Sequence, residues 1–195
     1  MTTPEASGVT PATDEDRAIA TLTIAFSSDP VARWFLPDAD RYLRYWPPFV
    51  TAFAGNAFAA DTADSNGDCA GVALWLPPDV GPDDEAMAAI AADAVPQSDH
   101  EEVFGVLEQM GEYHPAERHW YLPVMGVDVA KQGGGLGSAL LRHAADRCDR
   151  DGLPAYLEAT NPRNKRLYAA HGFEELGVIQ TGGSPPIWPM LRKPR

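Results

Sequence analysis

Residues 127–141 read VDVAKQGGGLGSALL. A short apolar run with Val127 and Val129 leads into Gly133, Gly134 and Gly135, and Leu136, Gly137 and Ser138 open a stretch of helical character. Consecutive glycines between a strand and a helix let the backbone approach a bound group closely, because no Cβ stands in the way. Three loops of this kind compete. The phosphate loop of nucleoside triphosphatases needs a lysine before its Ser/Thr, and Leu136-Gly137-Ser138 has none. A dinucleotide-binding loop requires G-x-G-x-x-G and an acidic residue about 20 positions on. Gly133-x-Gly135 is present and Glu158 lies 21 residues after Gly137, yet Ser138 stands where the third small residue belongs. Too little chain follows for a doubly wound nucleotide domain. The third reading is Q-x-x-G-x-G, from Gln132, Gly135 and Gly137. It gathers N–H groups at a helix start, where they and the helix dipole suit a pyrophosphate. The strand before it, through Val127 and Val129, offers backbone groups to an extended amide chain. Pyrophosphate plus an amide-bearing arm describes coenzyme A.

Working outward, RHWYLPVMGVDV (118–129) predicts a long central strand. Leu136, Leu140, Ala144 and Cys148 recur every four residues, one face of a helix that Gly152 stops. PAYLEAT (154–160) predicts a short strand. NPRNKRLYAAHGF (161–173) predicts a helix with Asn161 as N-cap, Pro162 at its first position and Gly172 at its end. Two more strands, near 174–180 and at IWPMLRK (187–193), complete a β-α-β-α-β-β series and an α/β sheet of mixed direction. Upstream, residues 1–12 are expected to be loose. Helices are expected from Thr13 or Asp14, from Pro30, and over 40–59 with an interruption near Pro47–Pro48. DSNGD (64–68) signals a turn, CAGVALWLPP (69–78) a strand, and 83–113 a helical region broken near Pro96.

Composition sets outer bounds. The 195 residues, 45% hydrophobic, suit a single domain with a real core. Cys69 and Cys148 have no metal or redox spacing, so a reducing, cytoplasmic setting and no metal are expected. The N-terminal residues lack a signal-peptide pattern, and no apolar run is long enough to cross a bilayer. The net charge of −13 argues against nucleic acid. That charge is uneven: residues 1–117 carry 4 Lys+Arg against 21 Asp+Glu (−17), and residues 118–195 carry 11 against 7 (+4). A basic part around the glycine loop suits an anionic ligand, and an acidic part suits solubility or a cationic one.

Taken together, GVDVAKQGGGLGSALL and YLEATNPRNKRLYAAHGF resemble the GCN5-related N-acetyltransferase (GNAT) superfamily, strongly from residue 119 and weakly before. Asn161 precedes Tyr168 by seven residues and Gly172-Phe173 follows, as in that superfamily's strand-Asn-helix-Tyr-x-x-x-Gly-Phe ending. PRN, IWPMLRKP and FSSDPVARWFLPD look most like its puromycin N-acetyltransferase branch. The resemblance implies a GNAT fold with splayed central strands over 1–195, an acceptor side at 13–117 and an acetyl-CoA-binding core at 118–195. It departs from the pattern at SGVTP, a poor first strand, and at the polar residues 60–69. Acetyl-CoA is the implied cosubstrate and the primary amine of a small molecule, an antibiotic or aminonucleoside-like compound among the candidates, the implied acceptor, in a monomer or homodimer. A protein or peptide acceptor and a non-catalytic acyl-CoA-binding module are the alternatives.

Carried over, Val127 and Val129 would bind the pantetheine arm by backbone, Gln132 through Ser138 would cradle the pyrophosphate, and Asn161 would contact the arm. Tyr168 would protonate the departing sulfur, since attack on a thioester gives an oxyanion whose collapse expels a thiolate. Candidates for the base that deprotonates the amine are Glu158, His114, His119 and Glu117. Glu158 comes first, because a glutamate in an otherwise apolar strand is costly unless used or paired. Lys131, Arg163, Lys165 and Arg166 flank the motifs and could meet phosphates. Trp34, Phe35, Tyr42, Tyr45 and Trp46 could shape an acceptor pocket or simply pack a core.

Overall fold

A computed structural model describes residues 8–195. Strands β1 (Val9–Pro11), β2 (Ala63–Asn66), β3 (Gly71–Leu76), β4 (Trp120–Val127), β5 (Ala155–Ala159), β6 (Glu174–Glu175) and β7 (Trp188–Arg192) form one mixed sheet in the order β1-β2-β3-β4-β5-β7-β6. Only β4 and β5 run parallel; the other neighbours are antiparallel. Helices α1 (Glu15–Ala25), α2 (Pro30–Phe35), α3 (Ala39–Ala54), α4 (Asn56–Ala59), α5 (Asp84–Ala94) and α6 (His100–Tyr113) precede β4, whereas α7 (Leu136–Asp151) and α8 (Pro162–Ala170) follow it.

The side-chain period of two along the strands sorts the core into two layers. Val72, Leu74 and Leu76 of β3 pack with α1 and α3, whereas Ala73 and Trp75 pack with α7. On β5, Tyr156 joins the first layer and Ala155, Leu157 and Ala159 the second. Along β4 the phase changes. Trp120 and Leu122 lie in the second layer and Tyr121 in the first, yet Val124 is in the first and Met125 in the second. The pairing jumps from Leu76↔Tyr121 to Leu74↔Val124, so Leu122 and Pro123 both stand opposite Trp75, a bulge. Pro123 also brings no N–H to the ladder. Parallel pairing to β5 stops there: only Trp120, Tyr121 and Leu122 are matched. The sheet forks at this point, as the expected splay requires. Gly126 lets α1 lie on the far part of β4, because a Cβ there would stand 2.7 Å from the Ala25 Cβ.

Four local expectations need correction. Of the supposedly loose segment, residues 1–7 lie outside the described residues, but Val9–Pro11 pairs with Asp64–Asn66 and Ala12 is buried. The polar stretch 63–66 is a buried strand, and the turn moves to residues 67–70. Its polar side chains have partners: Arg147 reaches Asp64 Oδ2 at 3.0 Å and Asn66 Nδ2 donates to the Leu136 carbonyl at 2.9 Å. Helix α3 continues through Pro47 and Pro48. Those rings remove donors to the carbonyls of Leu43 and Arg44, where Leu43 is 65% exposed and water can substitute. The opposite face buries Tyr42, Trp46 and Val50 and holds the helix in place. Finally, the strand expected over 174–180 is reduced to β6 and an isolated bridge, Ile179↔Ile187. Between them Gly177 lies against the Tyr113 side chain.

Candidate active site

Beyond the fork, one edge of β4 is unpaired. Asp128 N–H donates to the Ala70 carbonyl at 2.8 Å, which fixes the alternation: even-numbered residues from Val124 to Asp128 address β3. The N–H and C=O groups of Met125 and Val127 therefore point into the fork. Gln132 Nε2 donates to the Val127 carbonyl at 3.2 Å. Val129 does not extend this edge, contrary to expectation. Asp128 Oδ1 caps a 3-10 turn, Val129–Lys131, and Val129 is exposed.

The glycine loop follows. Gly133 and Gly135 have φ of +82° and +84°, which side-chain-bearing residues avoid, and a Cβ on either would meet no atom within 4 Å. Helices α1, α2, α3, α5 and α8 each begin at an Asp or Asn whose side chain accepts a first-turn N–H. Helix α7 begins at Gly135 with no such side chain, so its first N–H groups remain free for a ligand. A cavity of about 520 Å³ opens here, lined by Val127, Gln132, Gly133, Gly135, Leu136, Gly137, Ser138 and Asn161 among others. Of the expected loop residues only Gly134 is absent from this wall, as Val129 is from the strand side. Lys131 and Arg163 supply positive charge to the wall, and Arg163 donates to Gln132 Oε1 at 3.1 Å. Lys165 is instead paired with Glu175, and Arg166 is exposed.

Asn161 has two roles. Its Oδ1 caps α8 through the Asn164 N–H at 2.9 Å, and its Nδ2 donates to Asp29 Oδ2 at 2.9 Å. Thr160 Oγ1 donates to the same oxygen at 2.6 Å, while Asp29 Oδ1 caps α2 through the Val31 and Ala32 N–H groups. Buried Asp29 thus ties α2 to the end of β5 and lines the large cavity. The sequence reading missed this residue. Asp-Pro identifies a helix cap, but no local pattern reports a bond across 131 residues.

A second cavity, of about 100 Å³, adjoins the first. Phe26 lines both, and Val124 and Thr160 of the small cavity neighbour Met125 and Asn161 of the large one. Its walls are apolar except for Glu158 and Thr160. Of the aromatics named as acceptor-pocket or core candidates, Trp34, Phe35 and Trp46 line this cavity; Tyr42 and Tyr45 do not. Glu158 Oε2 accepts a hydrogen bond from Tyr121 Oη at 2.9 Å, while Oε1 is shut off from solvent without a partner. Burial pushes the Glu158 carboxyl up to about 7, against the opposing effect of the Tyr121 and Tyr156 hydroxyls.

The other base candidates do not reach this cavity. His114 and His119 line a separate cleft with Tyr121, their Nε2 atoms 3.0 Å apart. Burial, followed by the neighbouring His119, lowers His114 to about 4. Glu117 is exposed. His171, at the end of α8, contacts Ser138 Oγ at 3.1 Å; burial and then Arg142 lower its pKa. Tyr168 is 5% exposed, packs edge-on against Phe173 at 6.0 Å between ring centres, and lines neither cavity. Burial, then the Asp29 charge, raises its pKa, so the hydroxyl keeps its proton.

A model of the Acetyltransferase (GNAT) family matches residues 19–173. An uncharacterised N-acetyltransferase of Schizosaccharomyces pombe is 24% identical over 206 residues, covering 94% of this chain and 81% of the relative. Mycothiol acetyltransferase of Kineococcus radiotolerans shares a shorter stretch, 44% identical over 69 residues, 33% of this chain and 22% of that protein. The crystal structure of a histone acetyltransferase and related acetyltransferase from Corynebacterium glutamicum superposes with a TM-score of 0.67 at 28% identity, covering 96% of each chain. Arylalkylamine N-acetyltransferase 2 of Aedes aegypti shares the fold, with a TM-score of 0.64 at 13% identity over 96% of this chain and 98% of that one.

Proposed function

The chain belongs to the acetyltransferase (GNAT) family, and from that premise we propose that it is an acetyl-CoA-dependent N-acetyltransferase acting on the primary amine of a small molecule. The observation that carries this reading is the abutment of two unlike cavities. One has free backbone donors and positive charge; the other is apolar with a single partnerless carboxylate oxygen. The puromycin-branch likeness of PRN and IWPMLRKP also favours a small amine.

The residues suit the cosubstrate. The open edge at Met125 and Val127 matches the amides of a pantetheine arm, with Gln132 yielding the Val127 carbonyl. Gly133 through Ser138 and the uncapped start of α7 match a pyrophosphate, with Lys131 and Arg163 beside them. Asn161, held by Asp29, addresses the arm at the cavity junction. Bound acetyl-CoA supplies a thioester carbonyl. Glu158 takes the proton that the amine loses as its nitrogen bonds to that carbon. The free N–H of Met125 holds the negative charge that develops on the carbonyl oxygen, leaving the Val127 N–H and C=O to the arm. Tyr168 is assigned the proton that the sulfur takes up as the C–S bond breaks: its hydroxyl stays protonated, but burial and the Asp29 charge make it a weak acid, and it must shift to reach a cavity that it does not line.

The test measures acetyl-CoA affinity calorimetrically and free thiol release with a panel of amines. Micromolar binding and amine-dependent thiol release are expected, and NAD and NADP should not stabilise the protein. The Corynebacterium relative favours a second reading, a protein amine as acceptor. A lysine-bearing peptide in the panel separates the two.

A further inference from the structure

We propose that the acceptor is an apolar primary monoamine: one ring or a short branched chain carrying its amino group at one end and no second charge. This rests on the acetyltransferase reading and specifies its acceptor. The cavity of about 100 Å³ is smaller than the roughly 150 Å³ apolar cavity that accommodates a benzene ring, so its enclosed part admits at most one ring. Trp34, Trp46, Phe49, Phe53, Val106 and Met110 form most of the wall. Such a surface rewards apolar contact and penalises any polar group left without a partner.

The polar atoms are few and their commitments are known. Thr160 spends its proton on Asp29, and Glu158 Oε2 already accepts from Tyr121. Glu158 Oε1 remains, without a partner in good geometry although the Tyr156 hydroxyl interacts with the same carboxylate, and Glu158 belongs to the wall of the small cavity. An amino group satisfies it, and the acetyl donor lies on the adjoining side. The indole N–H of Trp46 is also buried and unpartnered. It can only donate, so it tolerates an ether or hydroxyl oxygen and offers nothing to a second ammonium. No group in the lining matches the carboxylate of an amino acid, the charges of a polyamine or the hydroxyls of an aminoglycoside.

The experiment pairs thiol release with quenching of Trp34 and Trp46 fluorescence, so that acceptor binding is read without acetyl-CoA. Benzylamine, phenethylamine and isoamylamine are compared with spermidine, lysine, an aminoglycoside, an aminonucleoside and a lysine-bearing peptide. The apolar monoamines should quench, and should exceed the others by about 100-fold in kcat/KM. Val106→Phe, which fills the cavity, should raise their KM about 10-fold or more without changing acetyl-CoA affinity, and Phe49→Ala should shift the optimum to bulkier amines. Faster turnover of a polyamine, aminoglycoside, aminonucleoside or peptide overturns the proposal. So does an absence of quenching by the apolar amines, or an unchanged size preference in both variants. Failure of acetyl-CoA to bind would remove the acetyltransferase reading instead, while the fluorescence arm would still decide the acceptor class.

Discussion

The two cavities that meet at Phe26 are built on opposite principles. The large one recognises by backbone: an unpaired strand edge, two glycines with positive φ and a helix start left uncapped. The small one recognises by bulk, with aromatic and aliphatic side chains from α2, α3, α5 and α6 around one carboxylate. Backbone recognition tolerates few residue types at fixed positions. Recognition by bulk tolerates many, provided the volume is conserved. Charge follows a similar division. The N-terminal part carries −17, yet among the described residues the only carboxylate lining the small cavity is Glu158, from the C-terminal part. Apart from buried Asp29 and Asp64, the acidity of the described N-terminal residues lies mostly on exposed surface.

The contrast is broken most sharply at the loop. Gly135→Val places a β-branched side chain at φ +84° where the loop meets the cavity. Loss of two charge-assisted hydrogen bonds would weaken acetyl-CoA about 10²–10⁴-fold, with circular dichroism unchanged. Undiminished affinity would show that the backbone is not the recognition element. Glu158→Gln tests the other side. Removing the base should lower kcat/KM about 10²–10³-fold at pH 8 and abolish the rise in rate expected of the native protein through about pH 7. Stability should move in the opposite direction. A carboxyl raised above its ordinary value of 4.5 contributes stability that is complete below that pH and is lost as the pH rises through about 7. Relative to wild type, the Gln variant should therefore gain a few degrees of Tm at pH 8 and nothing at pH 4.

Tyr168→Phe, which retains the ring against Phe173, should cost about 100-fold in kcat with acetyl-CoA affinity unchanged. A native rate would make the phenol purely structural. The smallest effect joins the two cavities. Asp29→Asn leaves a side chain that cannot accept from both Thr160 and Asn161 without unsatisfying its own amide. It should raise the acetyl-CoA KM about 10-fold and lower stability by about 1 kcal/mol through the α2 cap.

How far each region was legible follows from the same division. The β4-loop-α7-β5-α8 order and the Asn161 cap were readable because each step has a local chemical signal. The fork was not. It depends on Leu122 and Pro123 facing one residue of a neighbouring strand 47 or more positions earlier, a matter of register rather than composition. That misplacement explains why Val129 was assigned to the open edge in place of Met125. Strand β2 was missed because Asp64, Ser65 and Asn66 read as a turn unless Arg147 and the α7 backbone are known to await them. Helix α3 was misjudged by propensity: two internal prolines count against a helix, but burial of Tyr42, Trp46 and Val50 outweighs them.

Across the fork, the left and right parts of the sheet are joined by only three residue pairs, Trp120–Leu122 with Ala155–Leu157. Such a narrow isthmus is a mechanical weak point, where amide protons should exchange sooner than in the continuous ladders on either side. A pantetheine arm laid along Met125 and Val127 would act as a temporary eighth strand, stitching the wedge shut. Catalytic occupancy and cooperative folding would then share one seam, and each turnover would briefly complete the sheet.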